Sequence, residues 1–251
     1  MDERMAPGRR SLRSEGWEEW PTAETDQKKK LPPLPVEKPY PAGARLFDLV
    51  GPESLALGAM PLAEAIRRRR SHRQYGPDPL TLAELSFLLW ATQGLTRVVD
   101  DSMRSQRTVP SGGGRHAFET YLLVNRVEGL PPALYRYLPV EHKLCLEQEG
   151  PGLVEAVYEG LRRQYVKDSA VVFLWTALPY RTEWRYGIMS HKLILLDAGH
   201  VCQNLYLAAT AIGAGMCAID AYDQQKLDAA LGVDGQDELA VYAATLGKLK
   251  G

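Results

Sequence analysis

The stretch HKLILLDAGHVCQNLYLAATAIG, residues 191–213, predicts the longest helix of this chain. A helix of that length spans about 34 Å. Apolar residues stand on nearly every face, a pattern typical of a helix that is buried all round. Polar residues interrupt the stretch too often for a membrane span; these are Lys192, Asp197, His200, Gln203 and Asn204. We therefore expect a long buried helix at the centre of the fold.

Helix and strand patterns lie on both sides of this stretch. Residues 82–93 predict a helix that Thr81 and Glu84 begin with a capping box and Gly94 ends. Strands are predicted within 117–127, 133–146 (with a turn at 139–141), 169–178, 216–219 and 238–247. Asp223 is expected to cap a helix between the last two strands. Because helices and strands do not alternate regularly, the pattern indicates an α+β fold.

Composition sets limits on the class of protein. The 251 residues are 45% hydrophobic and 24% charged, as in an ordinary globular chain. The formal net charge of −1 offers no overall basic field for a nucleic acid or an anionic membrane, so we expect neither partner. The three cysteines form no C-x-x-C pair and leave one unpaired in any disulfide scheme. With no apolar signal segment at the N-terminus, the sequence favours the cytoplasm.

The first 45 residues differ from the rest in composition. They are rich in proline and charge, with little apolar periodicity. Two interpretations stay open: a mobile tail, or an extended arm that lies along a partner subunit. We therefore predict an N-terminal arm, residues 1–45, and a single folded domain, residues 46–251.

Several familiar site signals fail on their context. Gly213 to Ala218 has the dinucleotide-binding spacing G-x-G-x-x-A, but it ends a helix where that motif would follow a strand. A glycine C-cap explains Gly213 better. The five histidines have no metal-ligand spacing, so no metal site is expected. No serine has the G-x-S-x-G surroundings of a hydrolase nucleophile.

The basic segment RRSHRQY, residues 69–75, carries more information. Cations at a helix end suit the helix dipole, which explains Arg67 and Arg68 but not the continuation. In an extended chain Arg69, Ser71 and Arg73 point to one side. Two guanidiniums and a hydroxyl that converge in this way form a pocket for a dianionic phosphate.

A second unusual segment is PSGGGRH, residues 110–116. Three consecutive glycines are costly to order, and glycine is kept where a backbone must approach something closely. The Walker spacing of phosphate-binding loops is absent here. A plain flexible loop is the alternative.

These segments resemble the nitroreductase superfamily of FMN enzymes. Residues 69–75 are similar to its opening signature R-x-S-x-[RK]-x-[FY], and PSGGG is similar to the PSAG loop of the SagB-type branch. That branch includes oxidases that make thiazoles and oxazoles. LYRYLPVEHKL (134–144) and DAGHVCQNLYLAATAIGAG (197–215) resemble two later motifs in the same order. The resemblance covers residues 61–248 and leaves the arm out.

The resemblance implies a nitroreductase-like α+β fold with a central, mostly antiparallel sheet flanked by helices. It also implies a homodimer with FMN at the subunit interface, where the glycine loop approaches the flavin from the partner. Carried over by position, Arg69 and Ser71 meet the FMN phosphate, and Arg73 meets the flavin edge or ribityl chain. The other implied contacts are Pro110, Ser111 and Gly113 at the ring, Asp220 and Ala221 near flavin N5, and Lys248 and Lys250 near the phosphate.

The sequence departs from the SagB-type pattern at two places. Arg115, His116 and Ala117 follow the loop, which makes the entrance more basic. The catalytic Lys-Tyr pair of the azoline oxidases is replaced by Arg185 and Tyr186. Arginine stays protonated and is a poor base. Tyr186 is expected either to donate a proton or bind substrate, or simply to pack at a helix start.

The function implied by the resemblance is an FMN-dependent oxidoreductase that carries electrons from NAD(P)H to a small organic acceptor. One alternative is an FMN-dependent dehydrogenase or oxidase that tailors a peptide or a small molecule. Another is a non-enzymatic carrier of a flavin or other ligand. Since the chemistry resides in the cofactor, few side chains need to be catalytic.

Overall fold

The computed structural model describes residues 5–99 and 104–250. The strands are β1 (Leu46–Asp48), β2 (Leu95–Val99), β3 (Arg104–Arg107), β4 (Phe118–Val124), β5 (Ala133–Leu138), β6 (Lys143–Gln148), β7 (Val171–Ala177), β8 (Ala214–Ile219) and β9 (Leu239–Lys248). The α-helices are α1 (Ala6–Ser11), α2 (Leu62–Arg68), α3 (Leu82–Gln93), α4 (Leu153–Gly160), α5 (Tyr180–Tyr186), α6 (Ser190–Ala211) and α7 (Gln224–Leu231).

Seven of these strands form one sheet in the order β1-β6-β5-β4-β7-β9-β8. Each neighbouring pair is antiparallel. Strands β2 and β3 form a separate hairpin. The α+β fold with a mostly antiparallel sheet and flanking helices is therefore confirmed.

Helices cover both faces of the sheet. Side chains alternate along a strand, so Phe173 packs on the face that carries α3 and α6, whereas Leu174 packs on the face that carries α4 and α7. Every residue of β4 and β7 is buried. This explains why the sequence of β7 is apolar except at Thr176 instead of alternating.

Local signals in the sequence correctly predicted several element boundaries. Thr81 and Glu84 form both hydrogen bonds of a capping box at the start of α3, and Gly94 ends the helix. Asp223 caps α7 by accepting a hydrogen bond from the Lys226 amide at 3.1 Å. Gly213 has a φ of 73°, the left-handed conformation of a glycine after a helix. The β2–β3 hairpin and α4 were not predicted.

Helix α6 is central, as expected, but its burial is incomplete in the single chain. Ile194, Val201 and Leu205 lie in the core. On the opposite side Leu195 is 64% exposed and Leu196 is 52% exposed. A single chain therefore leaves part of the apolar surface of α6 exposed. Throughout the described residues, no helix combines the length and the hydropathy of a membrane span.

The N-terminal arm packs against its own chain, which contradicts the interpretation as a mobile tail; an arm along a partner subunit stays a prediction. The Gln27 amide donates to the Trp184 carbonyl at 2.9 Å, and Trp184 Nε1 donates to the Leu31 carbonyl at 2.7 Å. The proline-rich, charged composition of the arm gave no signal of this packing, because many of the contacts are made by backbone amides and carbonyls. Residues 1–4 and residue 251 lie outside the described part. The boundary at residue 45 between arm and folded domain stays a prediction.

Candidate functional site

The basic segment that follows α2 runs beside β8. The backbone leaves the helix at Arg69, and Ser71 forms a parallel bridge with Met216. The His72 amide donates to the Met216 carbonyl at 2.8 Å. This pairing holds the segment in an extended conformation. In that conformation, alternate side chains point to the same side.

Tyr206 of α6 brings two of the predicted phosphate ligands together. Its hydroxyl lies 2.9 Å from Ser71 Oγ, and its ring lies 5.1 Å from the Arg69 guanidinium carbon. The Ala218 amide donates to the same hydroxyl at 3.1 Å. Arg69 and Ser71 thus lie on one side of the segment, as the alternation predicts.

The charge at this cluster is positive and uncompensated. Among the described residues, no carboxylate forms an ion pair with Arg69 or Arg73. Burial raises the pKa of the Cys217 thiol, and the nearby Arg73 opposes that rise. Ser71 and Arg73 are both exposed. The Arg69 guanidinium beside two hydroxyls, with the exposed Arg73 two residues beyond Ser71, is a donor set that fits a phosphate group.

The glycine loop is attached to the first half of α6. The Gly112 amide donates to the two carboxylate oxygens of Asp197 at 3.1 and 3.3 Å. Burial raises the pKa of Asp197, and hydrogen bonds from Ser111 and Gly112 oppose the rise. Ser111 Oγ also accepts from the His116 amide at 2.9 Å. The loop therefore has a fixed shape, with Pro110 exposed at its start.

Gly113 lies directly against Tyr186. Its φ is 65°, a left-handed conformation that side chains rarely adopt, and a Cβ there would overlap the Tyr186 hydroxyl. The Tyr186 ring lies 5.2 Å from the Arg185 guanidinium carbon. The structure thus brings the predicted catalytic pair to the predicted flavin loop, and it shows a contact that requires glycine.

The cluster of Arg69, Ser71 and Tyr206, here called the phosphate cluster after the ligand predicted for it, is separate from the glycine loop within one chain. Their contacts on α6, Tyr206 and Asp197, are nine residues apart, which corresponds to about 13.5 Å along the helix. Asp220 lines a surface groove beside the middle of α6, together with Ala198 and Gly199. The carbonyl of Ala221 accepts from Gln164 Nε2 at 2.6 Å.

The two predicted lysines have different surroundings. Lys248 forms an ion pair with Glu84 of α3, so its charge is partly neutralised. Its carbonyl accepts from the Gly76 amide at 2.8 Å, which holds the end of β9 beside the basic segment. Lys250 is exposed near the end of the chain. Neither ammonium group contacts Arg69 or Ser71 in the structure.

Sequence reasoning missed three residues that shape this site. Tyr206 and Asp197 stand within the predicted helix, but the segments that contact them lie elsewhere in the chain, so no local signal marked them. His116 is buried, and its Nε2 lies 3.1 Å from the Ser105 carbonyl. Burial, reinforced by Arg107, lowers the pKa of His116 to about 3, so the ring is neutral. Nothing in the sequence signalled its burial.

Comparison with known proteins assigns the chain to a family. The profile described as Nitroreductase family matches residues 66–248. The chain belongs to the nitroreductase family. The match begins in α2, just before the basic segment, and ends at the last residue of β9. The family assignment and the general class of oxidoreductase are therefore confirmed.

Two curated proteins are similar in sequence to this nitroreductase-family chain. "Putative nitroreductase MJ1384" of Methanocaldococcus jannaschii is 32% identical over 161 residues, which cover 64% of this chain and 79% of that protein. The trifolitoxin-processing protein TfxB of Rhizobium leguminosarum bv. trifolii is 28% identical over 145 residues. That match covers 55% of this chain and 39% of TfxB, and it supports the predicted branch of the family.

Solved structures of the family share the fold. A structure from Ralstonia eutropha JMP134, described as a "putative nitroreductase", has a TM-score of 0.68 and 24% identity; the match covers 88% of this chain and 100% of that chain. A second, from Desulfovibrio desulfuricans, was solved in complex with FMN. It has a TM-score of 0.53 and 18% identity, over 76% of this chain and 87% of that chain.

Proposed function

We propose that this nitroreductase-family protein is an FMN-dependent oxidoreductase that carries electrons from NAD(P)H to a small organic acceptor. The observation that carries the proposal is the cluster of Arg69, Ser71 and Tyr206. Among the described residues, no carboxylate pairs with the Arg69 guanidinium of this cluster. Membership of the family and the FMN-bound relative from D. desulfuricans support the choice of ligand. When bound, FMN supplies the redox chemistry by accepting a hydride and passing its electrons on.

Each predicted cofactor residue keeps a role in this proposal. Arg69 and Ser71 hold the phosphate, and Arg73 lies toward the flavin edge or ribityl chain. Pro110, Ser111 and Gly113 approach the ring from the partner subunit, and the segment Asp220–Ala221 faces flavin N5. Lys248 and Lys250 add positive charge near the phosphate, Lys248 less so because Glu84 neutralises it.

We further propose a homodimer with FMN at its interface. We call the phosphate cluster and the glycine loop the two half-sites. The support is that Tyr206, which contacts the first, and Asp197, which contacts the second, lie about 13.5 Å apart along α6 of one chain. The exposed Leu195 and Leu196 on the same helix would be covered by the partner. The three cysteines are free and buried, which suits the proposed location in the reducing cytoplasm.

A second candidate is a dehydrogenase that tailors a peptide, because TfxB is named for the processing of trifolitoxin. In that direction of reaction a base must remove a proton from the substrate. Arg185 is a poor base because its guanidinium stays protonated. We therefore favour the reductase.

The test begins with the visible spectrum of the purified protein and mass spectrometry of the released ligand. NADPH or, in a parallel sample, NADH is then added without oxygen, and the flavin absorbance is followed. Yellow protein that releases FMN and is bleached by either nucleotide supports the proposal. Protein that takes up no FMN contradicts it. Yellow protein that neither nucleotide bleaches indicates instead a substrate dehydrogenase or a flavin carrier.

A further inference from the structure

The turn that follows β8, residues 220–222, here called the β8 turn, offers two backbone amides to a ligand. Asp220 and Ala221 are both exposed, and Asp220 lines the groove beside α6. Among the described residues, neither the Asp220 amide nor the Ala221 amide has a hydrogen-bond partner. Their carbonyls, in contrast, are both engaged. The Asp220 carbonyl accepts from the Tyr222 amide at 3.1 Å. The Ala221 carbonyl accepts from Gln164 Nε2 at 2.6 Å.

Two peptide planes connect Gln164 to the Ala221 amide. A trans peptide is planar, and its N–H points away from its C=O. Gln164 holds the Ala221 carbonyl and thereby also the Tyr222 N–H, which belongs to the same plane. That N–H donates to the Asp220 carbonyl, which fixes the preceding plane and with it the Ala221 N–H. The Gln164 side chain therefore determines the direction of the available Ala221 amide.

The residues that follow the β8 turn are held by the rest of the fold. The Asp223 amide donates to the Gly160 carbonyl at the end of α4, at 2.8 Å. A Cβ at Gly160 would lie 3.1 Å from the Leu227 Cα, so α4 and α7 pack closely at this point. The Tyr222 hydroxyl donates to the Ala240 carbonyl of β9 at 3.1 Å. The β8 turn is thus attached to a rigid support on its C-terminal side.

The loop that carries Gln164 is strained. Arg162, Arg163 and Tyr165 have φ values of 53°, 61° and 46°, a left-handed conformation that costs free energy in residues other than glycine. Such strain persists only where the surrounding structure determines it, and it is common near functional sites. Gln164 Nε2 also donates to the Leu161 carbonyl at 2.9 Å, so one side chain joins this loop to the β8 turn.

We propose that Gln164 is a positioning residue that directs the Ala221 amide toward flavin N5. The inference rests on the proposed function, in which the segment Asp220–Ala221 faces N5. It goes further by naming a residue outside the family motifs that sets the direction of this contact. The N5 atom of oxidised FMN carries a lone pair, and a donor that is already fixed loses little freedom when the ligand binds.

The test replaces Gln164 by Met, a side chain of similar length that is uncharged and cannot donate. Gln148→Met is the matched control, because Gln148 Nε2 also donates to a backbone carbonyl, that of Ala230, at 3.4 Å. Far-UV circular dichroism confirms that both variants are folded. The first measurement is hydrogen exchange of the Tyr222 and Asp223 amides in protein without flavin.

The second measurement is the ratio of the dissociation constants of FMN and 5-deaza-FMN, obtained by equilibrium dialysis. In 5-deaza-FMN a C–H group replaces N5, so the acceptor is lost. Because both flavins carry the same phosphate and ribityl chain, the ratio reports the contact at N5. A change in overall stability would affect both dissociation constants alike. Anaerobic bleaching by NADPH and NADH is measured on the same samples.

We expect wild type and Gln148→Met to bind FMN about fivefold more tightly than 5-deaza-FMN, which corresponds to one hydrogen bond. In Gln164→Met the ratio should fall toward one, and the two amides should exchange about threefold faster or more. Unchanged exchange, an unchanged ratio, or a wild type that binds both flavins equally would overturn the inference.

The failure of the proposed function has a different signature. If Gln164→Met shows both changes but neither nucleotide bleaches the wild type, the role of Gln164 is upheld and the reductase is refuted. If the wild type is bleached but the ratio does not depend on Gln164, the reductase is upheld and the positioning role is refuted. A wild type that binds neither flavin refutes both.

Discussion

At the scale of single residues, the Tyr206 hydroxyl determines where the phosphate cluster lies. It accepts from the Ala218 amide of β8 and pairs with Ser71, so one side chain of α6 joins a strand to the basic segment. Arg69 then lies over the ring of the same tyrosine. A ligand that binds Arg69 and Ser71 is therefore held against a rigid support.

We expect Arg69→Ala to weaken FMN binding by about tenfold to a hundredfold while the fold is kept, because a charged hydrogen bond contributes roughly 1.5–3 kcal/mol. Titration of apo-protein with FMN, followed by flavin fluorescence, measures the change. Arg70→Ala is the control, since Arg70 donates to the Arg67 and Arg69 carbonyls and is not part of the cluster. Equal affinity in the two variants would remove Arg69 from the site.

Gly113→Ala is expected to destabilise the fold by more than the cost of a left-handed alanine, which is about 1–2 kcal/mol. Its Cβ would also meet the Tyr186 hydroxyl. Gly129→Ala is the control, because Gly129 has a φ of 78° and nothing within 4 Å of a Cβ. Urea unfolding measures both. If the two variants lose the same stability, the Tyr186 contact does not explain this glycine.

His116 predicts a dependence of stability on pH. Its folded pKa of about 3 lies below its ordinary 6.5, so the unfolded chain takes up a proton first as the pH falls. The free energy of unfolding should therefore decrease by about 2 kcal/mol between pH 7.5 and 5 from this group. His116→Asn, which tolerates the φ of 45°, should lose that part of the slope. Parallel curves for variant and wild type would show that His116 is not buried as a neutral ring.

At the scale of elements, the sequence predicted best where the signal is local. The capping box of α3, the turn between β5 and β6, and the apolar run of β7 depend on neighbouring residues, and all were found. The packing of the arm was not predicted, because many of its anchors are backbone amides and carbonyls, which every residue has. Tyr206 was missed because its partner belongs to another element, which depends on how α6 packs on β8.

The arm's anchorage depends on Glu119. This carboxylate is 2% exposed, lies 2.5 Å from Arg181 Nη2 and 3.3 Å from Arg136 Nη1, and accepts from the Lys38 amide at 2.9 Å. Burial raises its pKa, but the two guanidiniums outweigh that effect and hold the pKa below its usual value.

Glu119→Gln should therefore cost about 3–5 kcal/mol, because it leaves the buried Arg181 guanidinium without a counter-charge and removes one of the two carboxylates that pair with the buried Arg136. The control Glu155→Gln removes an exposed pair with Lys167 and should cost less than about 1 kcal/mol. Thermal unfolding, together with the rate of proteolysis within residues 25–40, measures both effects. Similar losses in the two variants would mean that the buried cluster does not hold the arm.

At the scale of the whole molecule, the two half-sites contact the same helix, α6, at positions that are far from each other. The basic segment contacts Tyr206, the glycine loop contacts Asp197, and the apolar face of α6 stays exposed at Leu195 and Leu196. A second copy that covers this face explains both observations, because it can bring its own loop to the first copy's phosphate cluster. The central claim is that each FMN is held by two chains.

The most direct test is a mixed dimer of Arg69→Ala and Gly113→Val chains, co-expressed with different tags and purified on both. Each parent variant must first be shown to be a folded dimer that holds no FMN at the flavin concentration used. In the mixed dimer one site carries both changes and the other carries neither, so the account predicts about one FMN per dimer. If both half-sites came from the same chain, every site would carry one change. A mixed dimer that binds no FMN would contradict the account.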